Sequence, residues 1–401
     1  MSASLFASVE MAPRDPILGL NEQFQSDANP SKVNLGVGVY TDENGKLPLL
    51  ACVKEAENLL AETPKPRGYL PIDGIPAYDQ AVQSLVFGAG SAVLEAGRVV
   101  TAQALGGTGG LKLGADFLKR LRPAARVLIS DPSWENHRAL FEAAGFDVGT
   151  YPYYDAQQRG IAFDATLAAL TQAEAGTVVV LHACCHNPTG YDLDAAQWQQ
   201  LIDVVKSRGL VPFLDMAYQG FGEGIAEDGA VIEQFVASGM DFFVATSFSK
   251  SFSLYGERVG ALSIVCASRE EAARVQSQIK RVIRTNYSNP PTHGAQVVAM
   301  VLNTPALRAQ WEQELTTMRE RIRAMRSALV ERLKAHGVAA DLSFITRQKG
   351  MFSYSGLNAA QMTRLREEYG IYGVSSGRIC VAALNGHNVD YVAQAMAAVM
   401  R

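Results

Sequence analysis

The stretch Val244-Ala-Thr-Ser-Phe-Ser-Lys-Ser-Phe-Ser-Leu-Tyr-Gly-Glu-Arg-Val-Gly260 opens as an apolar run, leaves it at Ala245, and hands over to hydroxyl residues around one lysine. An apolar run of strand length that stops at a polar cluster puts the cluster at a strand end. Ser247 and Ser249 flank Lys250, and Arg258 follows a short apolar and glycine-containing segment. Hydroxyls and a guanidinium suit a phosphate, the former as neutral donors and the latter as a planar charged fork. A lysine beside a bound dianion, half-buried at a strand end, is a position for an amine that forms a Schiff base. A polar loop with a solvated lysine fits this stretch equally well, so the neighbouring segments must decide.

Working outward, apolar runs recur at Arg126-Val-Leu-Ile-Ser130, Thr177-Val-Val-Val-Leu181, Val211-Pro-Phe-Leu-Asp215, Phe242-Phe-Val-Ala-Thr246 and Gly260-Ala-Leu-Ser-Ile-Val265. Helical patterns near 135–144, 194–208 and 229–238 separate the first four. Continuous apolar strands alternating with helices predict an α/β fold whose mostly parallel sheet is covered on both faces. The loops that follow such strands share one edge, where ligands bind. Pro212 predicts an edge strand or a strand start, because proline cannot donate to a ladder. The four loops carry Asp131-Pro-Ser-Trp-Glu-Asn-His137, His182-Ala-Cys-Cys-His-Asn-Pro-Thr-Gly190, Asp215-Met-Ala-Tyr218 and Ser247-Phe-Ser-Lys250. Each has a plain reading alone: Trp134 as core, Asn187-Pro-Thr-Gly as a turn, Asp215 as a helix cap. Four of them on one edge argue for a site.

Thr101-Ala-Gln-Ala-Leu-Gly-Gly-Thr-Gly-Gly-Leu-Lys-Leu-Gly114 breaks from a strand-like run into glycines as an amphipathic helix begins. Amides at a helix N-terminus plus the Thr108 hydroxyl form a phosphate cradle. The spacing matches neither the dinucleotide fingerprint nor the Walker loop. Val33-Asn-Leu-Gly-Val-Gly-Val-Tyr40 alternates like a strand, with glycines that mark a bulge or a close approach of backbone to ligand. Helices are predicted at 51–62, 76–87 and 268–284, and Tyr69 falls in the loop Arg67-Gly-Tyr-Leu-Pro-Ile-Asp-Gly74. From Pro305 a long helix carries Leu307, Trp311, Leu315, Met318, Ile322, Met325, Leu329 and Leu333 at spacings of three and four, which reads as a connector between lobes. Arg378, in Ser375-Ser-Gly-Arg-Ile-Cys-Val-Ala382, reads as a surface charge or as part of a site. Pro13, Pro16 and Pro30 mark the first 30 residues as an arm, on this chain's own surface or on another subunit.

The chain has 401 residues, enough for two domains or one large domain with a smaller lobe, and its 48% hydrophobic and 19% charged content is globular. A net charge of -4 argues against nucleic acid or an anionic membrane as the main partner. No apolar run is long enough to span a bilayer, and the first residues lack the pattern of a secretory signal, so a cytoplasmic location is expected. Cys52, Cys184, Cys185, Cys266 and Cys380 read as reduced thiols. The vicinal pair Cys184-Cys185 between His182 and His186 lacks usual zinc spacing, so no metal is expected.

Together, His-Asn-Pro-Thr-Gly, Asp-x-Ala-Tyr, Ser-x-Ser-Lys and Ser-Gly-Arg, in that order, resemble the class I pyridoxal-phosphate aminotransferases of the aspartate and aromatic amino acid group. The resemblance runs from Asn34-Leu-Gly-Val-Gly38 to the Arg378 segment. It implies the PLP-dependent transferase fold, with a large domain at 47–317 and a small α/β domain made of 1–46 and 318–401. It also implies a homodimer with shared active sites. It makes Lys250 the Schiff-base lysine and places pyridoxal 5'-phosphate against Gly107, Thr108, Ser247, Ser249 and Arg258, with Tyr69 reaching in from the neighbouring subunit. Trp134 would stack on the ring, Asn187 and Tyr218 would hold its phenolic oxygen, and Asp215 would pair with its nitrogen, supported by His137 and His182. Gly38, Trp134, Asn187 and Arg378 would line the substrate, Arg378 taking the α-carboxylate and Arg284 of the partner subunit a second carboxylate.

The chemistry agrees with those roles. An anionic Asp215 keeps a ring nitrogen protonated, and a freed lysine amine can move a proton as base and then acid. Gly106 departs from the aspartate-type pattern, which has a serine there. Thr41 and Gly68 also depart from it, whereas Asn289 follows it. The resemblance is closer to the tyrosine and aromatic branch. It implies transfer of the amino group of Tyr, Phe or Trp to 2-oxoglutarate, with some aspartate activity; an enzyme of mainly dicarboxylic substrates is the alternative. A PLP decarboxylase, racemase or lyase, and a non-enzymatic regulator of the same fold, are weaker alternatives.

Overall fold

The computed structural model describes residues 4–401 except Arg14 and Pro16. The sequence reading of Met1–Ala3 and of Pro16 as part of the arm lies outside the described residues. Seven strands form the main sheet: β1 (Val99–Leu105), β2 (Arg126–Asp131), β3 (Asp147–Pro152), β4 (Val178–His182), β5 (Val211–Met216), β6 (Phe242–Ser247) and β7 (Val259–Val265). Their spatial order is β1-β7-β6-β5-β4-β2-β3. β7 runs antiparallel to both neighbours, and the other four pairings are parallel. Every residue of β4, β6 and β7 is buried, which requires cover on both faces. At about 1.5–3 kcal/mol per buried large aliphatic or aromatic side chain, these strands pull the flanking helices onto the sheet.

Helix boundaries follow the periodicity closely: Ala51–Glu62, Pro76–Phe87, Glu135–Ala143, Ala195–Ser207 and Arg269–Asn286. The predicted helix near 229–238 starts earlier, at Ile225. α1 (Gly106–Leu121) begins at the first of the glycines after β1. α2 (Pro305–Ala335) runs unbroken for 31 residues and buries Leu307, Trp311, Leu315, Met318, Ile322, Leu329 and Leu333.

Two strand expectations narrow. Of the two positions left open for Pro212, the strand start holds and the edge does not, because β5 is a central strand. The proline is tolerated because it is the second residue of β5 and the ladder to β6 begins one residue later, at Phe213. Of Val33–Tyr40, only Val33–Asn34 pairs, parallel with Ile371–Tyr372. Phe352–Tyr354 pairs antiparallel with Arg378–Cys380, so the chain's two ends share one region beside the sheet. Among the described residues, no helix is long and apolar enough to cross a membrane.

Candidate active site

The ladder sets the floor of the site. His182 on β4 stands opposite Asp215 on β5, and Asp215 opposite Ala245 on β6. Asp215 is 5% exposed, and its Oδ2 accepts from His137 Nε2 at 2.7 Å. A carboxylate only accepts, so His137 carries a proton on Nε2; when neutral, it accepts at Nδ1 from the Ser133 hydroxyl, 2.9 Å away. Burial acts to raise the Asp215 pKa, but the hydrogen bond and charge of His137, with His182 and Lys250 nearby, hold it below its ordinary value. The carboxylate is therefore anionic at neutral pH, and no described residue donates to its Oδ1. His182 lies behind it, its ring centroid 4.9 Å from that of His137. Burial, His186 and His137 push its pKa well below the usual value, which keeps it neutral.

Lys250 is half-buried, with Nζ 4.9 Å from the centroid of the Tyr218 ring. Burial lowers its pKa to about 8; Asp215 opposes that shift and Arg258 adds to it. The amine thus gives up its proton near neutrality, as a nucleophile or base must.

Register builds the candidate anion cradle as well. Leu105, the last residue of β1, pairs with Val259, the first of β7, which brings Gly106 against Arg258. Gly106 has φ +68°, and a Cβ there would stand 2.4 Å from Arg258 Nη2. The serine expected of aspartate-type chains would therefore meet the guanidinium. A Cβ on Gly107 would lie 3.1 Å from Ser247 Cβ. The first turn of α1 with Thr108 and the hydroxyls of Ser247 and Ser249 are thus packed around Arg258, whose Nη1 donates to Ser249 Oγ at 3.3 Å. The 16-residue helix α1 adds the positive end of its dipole.

Arg378, on the short strand Arg378–Cys380, is 1% exposed. Nη1 donates to Asn187 Oδ1 at 3.0 Å and Nη2 to the Gly36 carbonyl at 2.7 Å. Nε is buried without a partner among the described residues. Because Oδ1 of Asn187 is engaged by Arg378, its Nδ2 is left as a donor. The Phe352 ring lies 4.2 Å from the Arg378 guanidinium, and a Cβ on Gly38 would come within 2.6 Å of that ring. Trp134 meets His137 edge-on, centroids 5.3 Å apart.

Two sequence-derived residues stand apart. Tyr69 is 96% exposed, and no described residue bonds its hydroxyl. Arg284 is exposed and donates to Ser288 Oγ. Asn289 ties the segment after Arg284 to the one after Tyr69 through its bond to the Leu70 carbonyl at 3.0 Å. At Gly68 a Cβ would meet nothing within 4 Å, so packing does not demand glycine there.

A family model for class I and II aminotransferases matches residues 30–396. The chain belongs to this family. This aminotransferase is 65% identical over 397 residues to an aspartate aminotransferase of Pseudomonas aeruginosa, with 99% of this chain and all of that one covered. It is similar at 67% identity and TM-score 0.97, over the whole of both chains, to a Burkholderia pseudomallei aromatic-amino-acid aminotransferase crystallised covalently bound to pyridoxal phosphate. A Psychrobacter aromatic amino acid aminotransferase cocrystallised with aspartic acid matches at 46% identity and TM-score 0.97, covering 99% of this chain and 100% of that one.

The site of this aminotransferase fits a pyridine phosphate. A carboxylate with an uncommitted Oδ1, an amine of lowered pKa and a glycine-cleared cradle with a guanidinium are the groups such a molecule requires. The donors of His137, His182 and Asp215 also lie within 4.8 Å of one another, as do those of Cys184, Cys185 and Asp228. In the first group His137 Nε2 is committed to Asp215. In the second, Asp228 accepts from the amides of Gly220, Gly222 and Glu223, and the Cys185 thiol is held well above its ordinary pKa by Cys184 and by burial. Neither group suits a metal. All five cysteines are free and buried.

Sequence reasoning passed over Phe352, Ser133 and Tyr255, whose hydroxyl accepts from the Tyr40 amide at 3.0 Å. Ser133 lies inside the Asp131–His137 loop motif, whereas Phe352, in Gly350-Met-Phe-Ser353, carries no sequence signal.

Proposed function

We propose that this aminotransferase carries pyridoxal 5'-phosphate on Lys250 and moves the amino group of tyrosine, phenylalanine or tryptophan to 2-oxoglutarate, with aspartate as a further donor. The observation that carries the reading is the Asp215–His137 pair at 2.7 Å beside a lysine whose pKa falls to about 8. Gly107, Thr108, Ser247, Ser249 and Arg258 hold the phosphate, Tyr69 of a second copy completing the cradle. When bound, the cofactor supplies an electron sink for the pair left on the substrate α-carbon. Asp215 Oδ1 accepts from a protonated ring nitrogen and keeps it charged. Asn187 Nδ2 and the Tyr218 hydroxyl donate to the phenolic oxygen, and Trp134 covers a ring face. Lys250 Nζ takes the α-proton as base and returns it as acid.

Arg378 receives the α-carboxylate, with Gly38 lining the same pocket, and Arg284 of a second copy receives a distal carboxylate. For an aromatic substrate, Arg284 turns to solvent, as its exposure permits. An enzyme of mainly dicarboxylic substrates is the second reading, favoured by Asn289 and by the 65% identity to an aspartate aminotransferase. We further propose lobes at 1–46 with 318–401 and at 47–317, joined through α2, and a cytoplasmic homodimer. The exposed apolar side chains of Leu5, Phe6, Val9 and Met11 support a subunit-crossing arm.

A panel of tyrosine, phenylalanine, tryptophan and aspartate against 2-oxoglutarate tests the reading. Glutamate formation is expected with at least one aromatic donor. Release of carbon dioxide or pyruvate instead, or a colourless protein that takes up no cofactor, sinks it.

A further inference from the structure

Helix α2 carries one guanidinium into the interior. Arg326 is 2% exposed and forms no ion pair with a carboxylate among the described residues. It donates instead to three backbone carbonyls: Ile345 at 3.4 Å, Gly350 at 2.7 Å and Phe352 at 2.5 Å. A buried charge answered only by carbonyl dipoles is a poor source of stability, and here it draws three carbonyls of one segment together.

The segment it gathers is packed on the site. Gly350 has φ +78°, and a Cβ there would stand 2.5 Å from Cys185 Cβ. The Lys349 amide donates to the Gly190 carbonyl at 2.6 Å. Residues 345–352 are thereby wedged between α2 and the loop that bears Asn187. The wedge ends at Phe352, whose ring lies 4.2 Å from the Arg378 guanidinium and edge-on to Tyr218 at 5.9 Å between centroids. A ring against a guanidinium attracts it and leaves the N–H groups at its rim free for a ligand.

We infer that Arg326 is a positioning residue for substrate: by gathering the carbonyls of Ile345, Gly350 and Phe352, it holds the Phe352 ring against Arg378 and so aims the unpaired Nε–H at the incoming carboxylate. This rests on the proposed role of Arg378. Arg326→Met keeps the buried stem and removes all three donors, and Arg326→Lys keeps a charge and several donors.

The experiment uses the cofactor-loaded protein, with succinate, an unreactive dicarboxylate, titrated by calorimetry alongside steady-state kinetics. Arg326→Met is expected to weaken succinate and raise KM by about tenfold, with kcat within about threefold and the visible cofactor absorption retained. Arg326→Lys should recover most of that loss. Phe352→Leu should weaken succinate to a similar degree, and Arg326→Met with Phe352→Leu should be no worse than the weaker single variant, because both act through one ring. Unchanged succinate affinity in Arg326→Met, or an additive double variant, overturns the inference. Should Arg326→Met fail to fold, unchanged affinity in Phe352→Leu overturns it equally. Wild-type protein that binds succinate but transaminates nothing would instead remove the functional reading while leaving the clamp testable.

Discussion

Arg378 and Arg284 are proposed for the same chemistry and sit in opposite surroundings. Arg378 is 1% exposed, held by Asn187 and the Gly36 carbonyl, and backed by Phe352. Arg284 is exposed at the end of its helix, with one bond to Ser288, a near neighbour in sequence. A guanidinium fixed by buried partners meets every substrate in one orientation. An exposed one can be displaced at little cost, since surface interactions of this kind contribute about 0–1 kcal/mol. The contrast fits the proposed division of roles, in which the end common to all amino acids would meet a rigid group and the variable end one that can leave.

The floor around Asp215 and Lys250 should tolerate least. Lys250→Ala should cut the half-reaction by at least about 10⁴-fold for every donor, since the cofactor anchor and the proton carrier go together. Rapid-mixing spectra with a circular-dichroism check of folding measure it, and comparable residual turnover with tyrosine and aspartate is expected.

Arg378→Lys exchanges a fork for a point charge. It should lower kcat/KM by about 10–100-fold for tyrosine and aspartate alike. A loss confined to one donor would break the assignment of Arg378 to the shared carboxylate.

Arg284→Ala sharpens the contrast. Its kcat/KM for aspartate should fall by about tenfold or more while that for tyrosine stays within about threefold. Equal losses for both would mean that Arg284 does not read the distal end.

The smallest effect expected is one of pH. Only the neutral amine attacks a carbonyl, and burial brings the Lys250 pKa down to about 8. Cofactor capture by the apo-protein, followed by absorption, should accelerate as pH rises through about 8 and then level. Asp215 favours the charged amine, so Asp215→Asn should move this midpoint to lower pH. A shift upward would contradict the arrangement of the floor.

Much of this could be read in the sequence because its determinants are local. Runs such as Phe242–Ala245 are apolar at every position, so both faces must be covered, and the loops after them must share an edge. Gly106-Gly-Thr108 at the start of an amphipathic helix marked the candidate cradle in the same way. Asp147–Pro152 was passed over because it is an edge strand buried only at Val148 and Tyr151, interrupted by Gly149 and ended by Pro152. Its identity as a strand depends on the Arg126–Asp131 neighbour. For Pro212 the sequence left an edge and a strand start open, and only the neighbouring ladder, which begins at Phe213, decided for the start.

By itself, the sequence determined the α/β alternation, the strand-end placement of Asp215 and Lys250, and the identity of the candidate groups, since periodicity and residue chemistry act over a few positions. Only the tertiary structure decided which of them meet. Strand register set His182 beside Asp215 and Gly106 against Arg258, the fold brought the Phe352 ring against Arg378, and burial lowered the pKa of the Lys250 amine. Such effects depend on atoms far apart in the chain, and no stretch of sequence carries them alone.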